Sequence, residues 1–409
     1  MNLHYLYKKI YDEFLKKYRI DAFATDEFSP TPPYYLIRPV NELQKNYPVP
    51  YGSALFMDQE PIYRTFLPFL MEDYKNPIIC NIEDDEIDDV GSLWTKRLFM
   101  YGLKPLMFVS EKSQEVGLVR QKLSNVNRDV AIVYYFYHGL ASLDNYRNYW
   151  KEDIQVPTSH DKLFICYQNI VNSYRWHRIQ FQLRLRESKL DQQGLISYNP
   201  PAKEKLEEVI QTATMRHGNK PMEKYVLNKI DMLTEPSYID TDSPDGAMST
   251  FIDIENCQRA FVHVVSETAF YNGKLHLTEK IFKPIVAKQP FLLLGARGCL
   301  KYFKNYGFKT FENFWDESYD DINDSVKRVD AVFAELMKLS KLSYEEQCAM
   351  REQMQDILEY NWNHFFHEFK NIVVDELTDN MRLEFRKSFY WKNFVKQEDI
   401  DHLNKVLKF

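Results

Sequence analysis

The densest chemical signal in the chain runs from Ser266-Glu267-Thr268 through Leu277-Thr278-Glu279-Lys280, Lys283-Pro284 and Gln289-Pro290-Phe291 to Gly295. An apolar run closes on an acidic residue, a loop follows, and Thr278 stands where a helix can begin with Glu279 and Lys280 in its first turn. The exposed N–H groups and the dipole of such a start favour anions. A lysine is out of place there as a stabiliser, and makes sense if an anionic ligand sits between it and the helix. The alternative is an ordinary surface Glu-Lys pair. Upstream, Tyr167-Gln168-Asn169-Ile170-Val171-Asn172-Ser173-Tyr174-Arg175-Trp176-His177-Arg178 brings two arginines to the start of a second helical pattern. Arg175 and Arg178 could grip the same anion, or could join Arg184 and Arg186 in a solvated basic face.

Other groups invite other chemistry. Phe56-Met57-Asp58-Gln59-Glu60-Pro61 is an apolar run ending in two carboxylates. Glu60 could take a proton as a general base, or cap a helix opened by Pro61. Asp58 and His138, each following an apolar run, are reserve candidates. Asp240-Thr241-Asp242 offers hard oxygen ligands for a divalent cation, within a stretch of turn composition. The acidic residues between Glu83 and Asp89 read as a solvated loop. His364 and His367 lack the H-E-x-x-H order and read as core or surface histidines rather than zinc ligands. Phe385 to Lys392 mixes bases with aromatics, which suits a helix packed on the second domain, a membrane surface or nucleic acid.

These residues need elements to hold them. Apolar runs at Ala54–Met57, Pro77–Ile82, Leu106–Val109 and Ala131–Phe136 alternate with amphipathic stretches such as Glu111–Leu123, for which Ser110 is the expected N-cap. After a polar linker at 151–162 a second set follows. Strands are expected at Leu163–Tyr167, Ala260–Val265 and Pro290–Leu294, with helices at Arg175–Leu190 and Lys280–Ala287. A long helical pattern from Ser343 to Glu376 and a helical tail complete the chain. Buried strands alternating with helices predict an α/β protein with mainly parallel sheets. Such sheets place ligands at the carboxyl ends of their strands.

Composition narrows the field. The chain has 409 residues, so two to three domains are expected. With 44% hydrophobic and 27% charged residues, neither disorder nor a coiled coil is supported. The net charge of −7 argues against a general nucleic-acid binder. Gly occurs only 12 times, and neither G-x-G-x-x-G nor G-x-x-x-x-G-K-[ST] is present. Any phosphate must therefore be held by side chains and helix ends. Five widely spaced cysteines without C-x-x-C suggest a reducing compartment and no structural zinc. No apolar window is long enough to span a membrane, and the N-terminus lacks a signal-peptide core.

The stretch around 251–300 resembles the nucleotide-sugar-binding half of the α1,3-fucosyltransferases and related GT-B glycosyltransferases. Ser266-Glu267-Thr268 stands for their strand ending in Glu-Asn, Thr278-Glu279-Lys280 for their Thr-Glu-Lys, and Pro290 to Gly295 for their Pro-led strand. Two positions depart from the pattern: Thr268 replaces the Asn, and His276 stands where an aromatic is common. Leu163 to Tyr198 is similar to the other donor element, with Arg178 the better match to its arginine. The resemblance implies a GT-B-like fold with Rossmann-like domains at 1–155 and 156–345 and a helical segment at 346–409 packing across them. It implies a glycosyltransferase, inverting and metal-independent, taking a nucleoside-diphosphate sugar as co-substrate. Arg178 and Lys280 would contact the phosphates, Glu279 the sugar or ribose hydroxyls, and Glu267, Arg175, Thr278 and His276 would lie near the donor. Glu60-Pro61 is similar to the family's catalytic Glu ahead of Pro. The acceptor is expected to be a glycan or a hydroxylated base in phage DNA, in a bacterial or virus-infected cytoplasm. A metal-dependent GT-A-like enzyme using Asp240 and Asp242, and a non-catalytic sugar-nucleotide binder, are the alternatives.

Overall fold

The computed structural model describes residues 79–82, 106–109, 131–239, 252–271, 275–387, 392–393 and 395–408, together with Glu13. In chain order the first elements are β1 (Ile79–Ile82), β2 (Leu106–Val109), β3 (Ala131–Tyr134), α1 (Tyr137–Asn145), β4 (Lys162–Ile170), α2 (Trp176–Glu187) and β5 (Gly194–Asn199). Then come α3 (Lys203–His217), α4 (Lys220–Leu227), α5 (Ile254–Gln258), β6 (Ala260–Ser266), α6 (Glu279–Val286) and β7 (Phe291–Leu294). The remainder is helical: α7 (Cys299–Asn305), α8 (Ser325–Leu339), α9 (Tyr344–Asn363), α10 (Phe369–Lys387) and α11 (Gln397–Lys408).

The chain divides into two compact units, residues 1–144 with 370–409 and residues 145–369. In the first, β1, β2 and β3 form a parallel sheet in that order, with Ile79 beside Leu106 and Leu106 beside Ala131. Beyond the carboxyl end of β3, the Phe136 N–H donates to Glu376 at 3.2 Å, and Asn380 Nδ2 donates to the Tyr134 carbonyl at 2.7 Å. Residues of α10 thus satisfy the backbone where the strand stops.

The second unit is built on a four-stranded sheet of order β5-β4-β6-β7, every pair parallel. Strands β6 and β7 are short apolar runs because both faces are covered. Residues of β6 and β7 are all buried. Alternation along β4 separates the faces. Cys166 feels the charge of Arg178 on α2, whereas the Tyr167 ring lies under Lys283 Nζ of α6, 4.6 Å from its centroid. From β4 the chain passes to β5 on one side and later returns to β6 on the other. That reversal is a topological switch point, and ligands bind outside the carboxyl ends of the strands that flank it. Those ends are Gln168–Ile170 and Ser266-Glu267.

The expected class, α/β with parallel sheets and a helical C-terminal segment, is what the chain forms. Strand β5 and helices α3, α4 and α8 were not foreseen. The long helical pattern is real but is interrupted by a π-helical turn at His364–Glu368. Phe365 and Phe369 lie 4.8 and 5.5 Å from Phe282 of α6 between ring centroids, which places the chain as far as 369 in the second unit. Residues 346–369 thus belong to the second unit and 370–409 to the first. Among the described residues no helix is long and apolar enough to cross a membrane.

Candidate functional site

Thr278 is the N-cap of α6, its extended backbone and side-chain oxygen set as cap chemistry requires. Its hydroxyl accepts from the Lys280 N–H at 3.4 Å and donates to Glu267 Oε2 at 2.6 Å. Glu267 Oε1 accepts from the Thr278 N–H at 3.2 Å. Glu267 is fully buried. Its carboxylate therefore fastens the start of α6 to the end of β6. Lys280 Nζ curls back over the helix start and donates to Glu279 Oε1 at 2.7 Å and to the hydroxyls of Thr268 and Thr278, each at 3.2 Å.

Across the switch point, Arg178 is buried to 3% exposure. Its NH1 donates to the Ile170 carbonyl at 3.0 Å, and its NH2 to those of Ser266 at 3.1 Å and Glu267 at 3.5 Å. Arg178 ties the end of β4 to the end of β6. Burial, followed by the charge of Arg175, pulls its pKa down to about 9, against which Glu267 and Glu279 act in the other direction. It remains a cation at neutral pH. The neighbouring His177 is fully buried, stacks on Phe270 with centroids 4.5 Å apart, and places Nε2 2.9 Å from the Glu267 carbonyl. A carbonyl only accepts, so the proton sits on Nε2. Burial holds the ring neutral, with its pKa well below the usual histidine range.

Arg175 differs from its neighbours. It precedes α2 directly and is half-buried, and its Nε is shielded from solvent. No hydrogen bond or ion pair of its guanidinium is formed among the described residues. The helix does not carry a solvated arginine face. Arg184 binds Asp330 at 2.9 Å and Glu187 at 3.3 Å, and Arg186 donates to the carbonyls of Met232 and Glu235. Ser266 Oγ, buried at the carboxyl end of β6, likewise lacks a hydrogen-bond partner among the described residues. Buried polar atoms in folded proteins are nearly always satisfied. Together with the Arg175 guanidinium, this hydroxyl makes the edge the candidate functional site.

The structure thus gathers Arg175, Arg178, Glu267, Thr278, Glu279 and Lys280 at one strand edge, and it divides their work. Glu267, Thr278 and Arg178 build the edge; Arg175, Glu279 and Lys280 are more exposed, with Glu279 and Lys280 side chains 12% and 20% accessible. His276 is buried ahead of α6. Lys283 and Gln289 face inward: Lys283 onto Tyr167, and Gln289 Nε2 onto the Ala260 carbonyl at 2.9 Å. His138 lies in the first turn of α1 in the other unit, its carbonyl accepting from Ser142 Oγ at 2.6 Å. His364 is buried, with Nε2 2.6 Å from the Tyr306 carbonyl. Glu60, Asp58, Asp240 and Asp242 lie outside the described residues. Among those described, no three His, Cys, Asp or Glu side chains are grouped to hold a metal. Sequence reasoning did not single out His177, whose only signal was adjacency to Arg178. Nor did it find Arg328, buried and donating to the carbonyls of Gly295 at 3.1 Å and Phe270 at 2.6 Å, where it secures the β7 end as Arg178 secures β4.

No family model matches the chain, and no curated protein sequence does. Among solved structures, the chain is similar to the UDP-forming α,α-trehalose-phosphate synthase of Burkholderia xenovorans. Identity is 9% and the TM-score 0.38, over 78% of this chain and 79% of that one. It is also similar to the α,α-trehalose 6-phosphate synthase of Burkholderia multivorans, at 9% identity and TM-score 0.37, over 79% and 75% of the two chains.

Proposed function

We propose that the chain is a GT-B-type glycosyltransferase that binds a nucleoside-diphosphate sugar at the carboxyl edge of the second sheet. The observation that carries this reading is the Arg175 guanidinium, unpartnered among the described residues and close enough for its charge to act on Arg178, at the same strand edge as Lys280, whose ammonium is bent over the α6 start. The edge combines two cations with a helix N-terminus and a carboxylate, Glu279, fit to accept from hydroxyl groups. A sugar diphosphate has those two halves. Arg175 takes the diphosphate together with Lys280, while Arg178 adds its charge from behind without leaving the carbonyls it holds. Fixed cations stabilise the negative charge that develops on the departing nucleoside diphosphate. Metal independence is part of the proposal.

Displacement at the anomeric carbon by an acceptor hydroxyl needs one group to take the proton. Glu60 is the proposed base, with Asp58 and His138 in reserve, and inversion follows from a single displacement. The resemblance supports a fucosyltransferase-like donor half. The acceptor is a glycan or a hydroxylated nucleobase. The test is incubation with a panel of sugar nucleotides and host-derived acceptors, following nucleoside-diphosphate release and product stereochemistry. Turnover with inversion, insensitive to chelator and lost in Glu60→Gln, is the expected result. Turnover abolished by chelator supports the Asp240/Asp242 alternative. Saturable binding with no turnover on any acceptor supports a binding protein.

A further inference from the structure

The geometry around Lys280 points to a second property of this edge. An ammonium has three hydrogens to donate. Lys280 Nζ has three acceptors: Glu279 Oε1 at 2.7 Å, Thr268 Oγ1 at 3.2 Å and Thr278 Oγ1 at 3.2 Å. A phosphate oxygen that reaches Lys280 must therefore displace one of them. The two threonines are 7% and 2% exposed. The Thr278 hydroxyl is further held by Glu267 at 2.6 Å. Glu279 sits on a longer, rotatable arm, and its charge is the one a phosphate replaces in kind. Adjacent residues of a helix do not ordinarily face each other. The Glu279–Lys280 pair forms because both side chains turn back toward the helix start, where the proposed ligand binds.

We propose that Glu279 is a built-in competitor for Lys280. In the free protein its carboxylate holds the ammonium. A diphosphate takes the ammonium over, and the released carboxylate accepts hydrogen bonds from hydroxyls of the same ligand. This inference rests on the sugar-nucleotide reading above and adds how the site couples its anionic and polyol halves. A carboxylate set free beside phosphates is stable only with donors to receive, so an anion lacking hydroxyls binds at a disadvantage. Ligands carrying both halves recover it. The exchange makes Glu279 a specificity-determining residue, and it leaves Arg175, which has no partner among the described residues to give up, as the main source of net affinity for the diphosphate.

The experiment titrates the full chain calorimetrically with inorganic pyrophosphate and with a panel of nucleoside-diphosphate sugars, using wild type, Glu279→Gln and Glu279→Asp. Glutamine removes the competing charge. Aspartate keeps the charge but is one methylene too short to hold Lys280 in the same geometry. Both variants are expected to bind pyrophosphate about tenfold tighter, the scale of one charge-assisted contact released. In both, the preference for the sugar nucleotide over pyrophosphate is expected to shrink. Pyrophosphate affinity at or below the wild-type level in both variants overturns the exchange. So does an increase confined to Glu279→Gln, which is plain charge repulsion. Wild type that binds no sugar nucleotide at all overturns the underlying reading instead.

Discussion

Arg178 and Arg175 stand three residues apart and should fail in opposite ways. Replacing Arg178 by lysine keeps a positive charge but cannot span the carbonyls of Ile170, Ser266 and Glu267. The two shorter contacts, at 3.0 and 3.1 Å, decide the magnitude. Each buried carbonyl left without a donor costs about 1–3 kcal/mol. An ammonium that still reaches one of the carbonyls offsets part of that sum. A net loss of about 3 kcal/mol is expected, which for a unit of this size lowers the melting temperature by roughly 6–12 °C. Arg175→Ala removes no side-chain hydrogen bond formed among the described residues, so stability should stay within about 0.5 kcal/mol of wild type. A hydrogen bond to a charged group contributes about 1.5–3 kcal/mol, so that variant should bind a nucleoside-diphosphate sugar roughly 10- to 100-fold more weakly. Urea unfolding and calorimetric titration of both variants read the two effects separately. An Arg178→Lys protein as stable as wild type, or an Arg175→Ala protein that loses stability and keeps its affinity, refutes this division of labour.

Two further outcomes concern the same edge and its core. Thr278→Val removes the α6 cap and one donor to buried Glu267, so a loss of about 2–4 kcal/mol is expected in denaturant unfolding, with Thr278→Ser close to wild type. His177 and His263 are buried as neutral rings, His263 pulled down to about 3 by burial, then by the charge of Lys283, against the opposing hydrogen bond that its Nδ1–H donates to Gln289 Oε1. In the unfolded chain both take a proton near ~6.5, so between there and their folded values the unfolded state binds more protons. Their contribution is complete above about pH 6.5 and falls as pH drops, by up to about 1.4 kcal/mol per pH unit for each histidine. Unfolding measured between pH 7.5 and 5 should show that slope, and His263→Asn should reduce it; a flat profile contradicts the buried neutral assignment.

Much of this edge was legible because its elements announce themselves chemically. Strands β4, β6 and β7 are apolar runs, as strands buried on both faces must be, and Thr278-Glu279-Lys280 carries the cap and first-turn residues of a helix start. Strand β5 was missed because Gly194-Leu195-Ile196-Ser197-Tyr198-Asn199 opens on glycine and has only two adjacent aliphatic residues. It lies at the sheet edge, where a strand needs less apolar surface. How the two arginines divide their tasks was not legible. Arg178 is spent on main-chain carbonyls, which every residue possesses and no side-chain pattern records. Arg175 is available for the complementary reason, that no carboxylate or carbonyl of the described residues reaches its guanidinium. The motif order singled out the right segment and favoured Arg178 as the phosphate contact; burial and hydrogen-bond geometry favour Arg175.

The site itself is tested most directly by photolabelling the full chain with an azido-substituted nucleoside-diphosphate sugar and mapping the modified peptides. Labelling within Gln168–Arg178 and Ser266–Lys280, suppressed by excess unmodified sugar nucleotide and by Arg175→Ala, is the predicted result. Specific labelling confined to other segments, or labelling that excess sugar nucleotide leaves untouched, would contradict the assignment of this strand edge to the donor.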